Sequence, residues 1–99
     1  MDDEQSAAAF MAAVEQIEGQ SQELTATGAA ILLAIHLDIA TDSRSIANRL
    51  GLAHALVLRE IAALSPRFVR VTKRDARTQR SFLQATAEGQ ALAASSTRI

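Results

Sequence analysis

The chain has no cysteine, no tryptophan and no tyrosine, and only one proline and four glycines in 99 residues. Without cysteine there is no disulfide scaffold, no thiolate metal site and no thiol nucleophile, and the composition fits a reducing compartment. Phe10, Phe68 and Phe82 are the only aromatics, so a core has to be built from aliphatic and alanine side chains and is expected to be thin. No apolar run approaches the roughly 18 residues of a membrane span. The opening Met1-Asp2-Asp3-Glu4 has the wrong charge for a secretory signal. A cytoplasmic protein with no membrane partner is expected. With 48% hydrophobic residues, the chain should form a single globular domain over residues 1–99.

Bases are missing from the first half. Residues 1–43 hold eight acids (Asp2, Asp3, Glu4, Glu15, Glu18, Glu23, Asp38, Asp42) and no Lys or Arg. Residues 44–99 hold all ten bases against three acids, Glu60, Asp75 and Glu88. The net charge of -1 hides this division. Such asymmetry points to a polyanion-facing surface on the second half. The alternative is that the halves neutralise each other inside the fold or across a dimer.

Spacing predicts five helices and a hairpin. Residues 3–18 carry acids in the first turn, where the helix dipole favours them, and Gly19 follows as a stop. Within this helix Phe10, Met11, Val14 and Ile17, with Ala7, form an apolar stripe that must bury against its own domain or a second copy. Thr25 is the expected N-cap of a central buried helix, 26–37. His36 on it is expected to be an ordinary histidine, since no Cys or second nearby His completes a metal site. Asp42 should cap a third helix, 43–50, which ends at Gly51. Leu52 is the buried turn residue. A fourth helix over 54–65 stops at Pro66.

Beyond Pro66 the period changes from 3.6 to 2. Residues 68–73 and 81–86 alternate and can pair as antiparallel strands, with Arg74 to Arg80 as a polar tip. A final helix over 87–96 completes the order. Helix, glycine turn and helix directly before a two-stranded ribbon is a winged helix-turn-helix arrangement, mainly α with a small β-hairpin.

The chemistry lies on the third and fourth helices and the ribbon. With Val57, Ile61 and Leu64 as the core stripe, the opposite face of the fourth helix is Ala55, Arg59, Ala62 and Ala63. Leu56 and Leu58 flank that face and are expected to be exposed. Reading base edges needs hydrogen-bonding side chains, which only Arg59 and His54 supply here. Arg67, Arg70, Lys73, Arg74, Arg77 and Arg80 fall within fourteen residues, a density no core requires. Arg70 and Arg74 are expected on one strand face, Arg77 near the tip, and Asp75 orienting a neighbouring arginine. Arg44, Ser45 and Arg49, with Ser43 and the amides at the start of the third helix, are candidate phosphate contacts. No nucleophile–His–acid set and no phosphate-cradling glycine loop is legible, so an enzyme is not expected and no cofactor or metal is implied.

Residues 24–89 resemble the winged-helix domain of the multiple-antibiotic-resistance (MarR) type of bacterial regulators. Leu24-Thr25 opens the second helix as in that family. Ser45-Ile46-Ala47-Asn48-Arg49-Leu50-Gly51-Leu52 is similar to its "LAERLGL" turn. Val57, Arg59, Ile61 and Leu64 fall where its recognition helix carries matching residues. Phe68-Val69 stands for the "Gly-Leu-Val" that opens its wing. Asp75-Ala76-Arg77 and Ala85-Thr86-Ala87-Glu88-Gly89 resemble its "D-x-R" tip and "L-T-x-x-G" exit. The departures are a longer hairpin, Ala85 for the customary Leu, Glu60 at a usually apolar position, and an end at Ile99 where the family continues into long dimer-building helices.

The resemblance implies a transcriptional regulator that binds double-stranded DNA as a homodimer, with room for a small-molecule effector that no residue here identifies. Residues 1–23, through Phe10, Met11, Val14 and Ile17 and helped by 87–96, are the expected dimerisation element. The alternative is a protein–protein interaction module on the same fold.

Overall fold

The computed structural model describes residues 3–97. In these, five helices, α1 (Asp3–Gln20), α2 (Ala26–His36), α3 (Ser43–Leu50), α4 (His54–Leu64) and α5 (Ala87–Thr97), accompany an antiparallel pair, β1 (Val69–Asp75) and β2 (Arg80–Ala85), inserted between α4 and α5. The fold is thus mainly helical with one two-stranded hairpin, as expected. None of these helices is long and apolar enough to cross a membrane.

The central element is α2, apolar on nearly every side because α1, α4, α5 and β2 all pack on it. Ala29, Ile31, Leu32, Leu33 and Ala34 are fully enclosed. Its start is fixed as the sequence predicts: Thr25 Oγ1 accepts the Gly28 N–H at 2.9 Å. The same hydroxyl donates to Glu60 Oε1 on α4 at 3.1 Å, so the carboxylate at a usually apolar position joins the α2 cap to α4.

The end of α1 and the limits of the hairpin tip differ most from expectation. Helix α1 continues through Gly19 to Gln20. Gly19 is solvent-exposed and costs a terminal turn little, while Gln20 is held by Ser95 and Ser96 of α5. The strands reach Asp75 and begin again at Arg80, so Arg74, Asp75 and Arg80 lie in the ladder and the tip is only residues 76–79. Asp75 Oδ1 accepts the Arg77 and Thr78 N–H groups at 3.0 and 3.4 Å, which tightens that turn. The segment between α2 and α3 also touches the hairpin. Leu83 N–H donates to Thr41 O at 2.8 Å, and Asp42 bridges Phe82, giving β2 a rudimentary partner on its second edge.

The apolar stripe of α1 closes on its own chain. Val14 and Ile17 are 2% and 0% exposed, and α1 packs on α2 and α5. The expected contact of these two residues with a second copy is therefore corrected. Met11 is exposed and Phe10 half-buried.

Gly51 and Gly89 are required by geometry. Gly51 has φ +68° and ends α3 in the left-handed region. At Gly89 a Cβ would fall 2.1 Å from the Phe68 carbonyl oxygen. Here α5 starts against the chain entering β1. Thr86 joins them, its hydroxyl donating to Arg67 O at 2.6 Å and accepting from Gly89 N–H at 3.1 Å.

Candidate nucleic-acid interface

The basic segment folds into three groups with different fates. The first is consumed by the fold. Asp42 caps α3, its Oδ2 accepting the Arg44 and Ser45 N–H groups at 3.1 and 3.0 Å. The same oxygen receives Arg80 Nη1 at 3.0 Å, and that guanidinium also reaches Ser45 Oγ at 3.5 Å. Burial raises the Asp42 carboxyl, but the hydrogen bonds from Ser45, the Arg80 charge and the Arg44 amide outweigh it and leave its pKa below 3.8. Arg67 sits between Glu23 and Glu88, whose hydrogen bonds push its pKa upward. Arg44 donates from Nε to Thr78 O at 3.1 Å and fastens α3 to the hairpin tip.

Several expected phosphate contacts are corrected by these bonds. Arg80 and Ser45 bind each other and Asp42, and the amides that begin α3 are occupied by the cap. Ser43 is fully buried. His54 is half-buried with Nε2 2.9 Å from Ser43 Oγ. Burial, then the nearby Arg44 charge, with Arg80 adding, lowers the His54 pKa from 6.5 against a smaller opposing effect of Asp42. At neutral pH His54 is an uncharged strut. The two halves of the chain do neutralise each other in part, through Arg67–Glu23 and Arg80–Asp42.

The second group lies on the outer face of the hairpin. Val71 pairs with Leu83 but Lys73 pairs with Phe82, so Thr72 is an extra, bulged residue. Its hydroxyl donates to Phe82 O at 3.2 Å. The bulge reverses the alternation. Arg70, opposite Gln84, and Lys73, opposite Phe82, share one face. Arg70 donates to Gln84 Oε1, and Lys73 Nζ stands 5.8 Å from the Phe82 ring centre. Arg74, opposite the buried Ser81, falls on the other face. The expectation that Arg70 and Arg74 lie together is thereby overturned.

The third group borders α4. Arg74 lines a cleft of about 410 Å³ between α4 and the hairpin, with Leu58, Ile61, Ala62, Ser65, Val71 and Ser81. Val57, Ile61 and Leu64 are buried as predicted, and Ala55, Arg59, Ala62 and Ala63 form the open face. Leu56 and Leu58 are half-buried rather than exposed, and Leu58 lines the cleft. Arg49 on α3, Arg59 on α4 and Arg77 at the tip are exposed.

Besides Arg44, which is tied to the Thr78 carbonyl, six cations, Arg49, Arg59, Arg70, Lys73, Arg74 and Arg77, thus carry no ion pair among the described residues. Such a set can neutralise a polyanion, and Arg59 alone among them stands on the open face of α4. Ser43 is the residue that sequence reasoning undervalued. Its only signal is a position next to the Asp42 cap. No family model, curated protein or solved structure matches this chain.

Proposed function

We propose that this chain is a DNA-binding protein of winged helix-turn-helix type, resembling MarR-like bacterial regulators, with α3 and α4 as the helix-turn-helix and β1–β2 as the wing. The observation that carries the reading is the set of exposed cations left unneutralised on the hairpin and the two helices, when Arg67 and Arg80 show that acids were within reach of others. The order of elements, the Asp42 cap, the Gly51 turn and the short bridge of Asp42 to β2 support it. Wing cations supply phosphate contacts and most of the affinity, and Arg59 a modest sequence preference. The protein acts in the cytoplasm as a homodimer, the second copy meeting Met11 and the open side of α1.

The test is a substitution series. Arg70→Ala, Arg74→Ala and Arg77→Ala together should weaken duplex binding about equally for every sequence and flatten the logarithmic salt dependence by roughly 3. Arg59→Ala should instead narrow the difference between sequences. The exposed alanines of α4 favour a second reading, a protein-docking face. In that case the triple variant changes nothing and Ala62→Glu removes partner capture.

A further inference from the structure

The buried hydroxyl of Ser43 stands where three elements meet. It begins α3, receives the β2 backbone through the Ser81 N–H at 2.9 Å, and lies 2.9 Å from Nε2 of His54, the first residue of α4. Ser43 is 0% exposed, so water cannot replace either bond. The Ser81 amide can only donate, which leaves Ser43 Oγ as its acceptor and the Ser43 proton to be placed. Among the described residues the only acceptor for that proton is His54 Nε2. The imidazole must then be neutral with its proton on Nδ1.

We infer that Ser43 and His54 are positioning residues, a lock that joins the start of α4 to the hairpin only while His54 is unprotonated. When Nε2 takes a proton it becomes a donor. Ser43 Oγ then faces two donors, and its own proton is left buried without an acceptor, an arrangement that costs free energy. The charged groups around the ring are Arg44 on α3, Asp42 at the α3 cap and Arg80 on β2. The two arginines oppose protonation and Asp42 favours it, but Asp42 is already engaged by Arg80. His36, the other histidine, is on α2 beside Leu83 and Gln84 of β2.

The functional consequence rests on the DNA-binding reading. Acidification adds positive charge and on charge alone strengthens duplex binding. Release of the lock reverses that sign, because α4 and the wing no longer hold a fixed relation.

The experiment uses the full chain with amide and imidazole NMR from about pH 7.5 to about pH 5, and duplex affinity at both ends. The Ser81 amide resonance should move with the midpoint of the His54 ring, and affinity should fall about tenfold. His54→Gln keeps an acceptor at every pH, so in that variant the Ser81 resonance should be flat and affinity should not fall. A Ser81 resonance unmoved while His54 titrates, or a His54→Gln variant retaining the Ser81 titration, overturns the lock. If no duplex binds at pH 7.5 the DNA-binding reading has failed, and the Ser81 resonance still decides the lock.

Discussion

At the scale of single residues, small polar side chains do more here than the arginine count suggests. Asp42 satisfies two orphan amides at the start of α3 and holds Arg80 on β2. Asp42→Ala should cost about 1–2 kcal/mol in chemical denaturation, the range of a lost N-cap, with added cost from the freed Arg80. Both titratable groups of this region make stability fall with acid, in separate windows. His54 has a folded pKa below 6.5, so the unfolded chain binds its proton first. Stability drops as pH falls from 6.5 toward that lower value and then levels. The Asp42 carboxyl, lowered from 3.8, contributes stability above 3.8 that disappears as pH falls through its folded value. Urea midpoints across pH should show two steps, and His54→Gln should remove only the upper one. Gly89→Ala drives a Cβ into the Phe68 carbonyl and should destabilise by about 1–3 kcal/mol, the cost of forced overpacking.

At the scale of elements, period and punctuation were legible in the sequence, while register was not. The 3.6 repeat of Val57, Ile61 and Leu64, the caps Thr25 and Asp42, and Gly51 act within a few residues of themselves, so local pattern places them. The Thr72 bulge depends on how β1 meets β2, and nothing in Val69–Asp75 alone announces it. One inserted residue moves Arg74 to the face that borders α4. Likewise, Val14 and Ile17 form a visible stripe, but only α2 and α5 decide that it closes within one chain. Deleting Thr72 should leave a regular ladder with Lys73 still opposite Phe82 and Arg74 opposite Ser81. Because Thr72 is the unpaired residue, stability should change by less than about 1 kcal/mol, and cross-strand amide contacts in NMR should retain those pairs.

At the scale of the whole molecule, the division of charge along the sequence is softened where Arg67 meets Glu23 and Arg80 meets Asp42. What remains is a cationic hairpin flanked by Arg49 and Arg59, beside a helix whose open face is largely alanine. That combination suits a polyanion better than a base-by-base code, since phosphate contact needs charge and base reading needs a row of hydrogen-bonding side chains. Affinity should therefore depend strongly on salt and weakly on sequence. The most direct measurement is fluorescence anisotropy of a labelled generic duplex titrated at about 50 mM and about 200 mM salt. Six free cations meeting phosphates predict a slope of about -5 in log affinity against log salt, with micromolar binding at the lower concentration. Absence of binding at low salt, or binding indifferent to salt, would contradict the account.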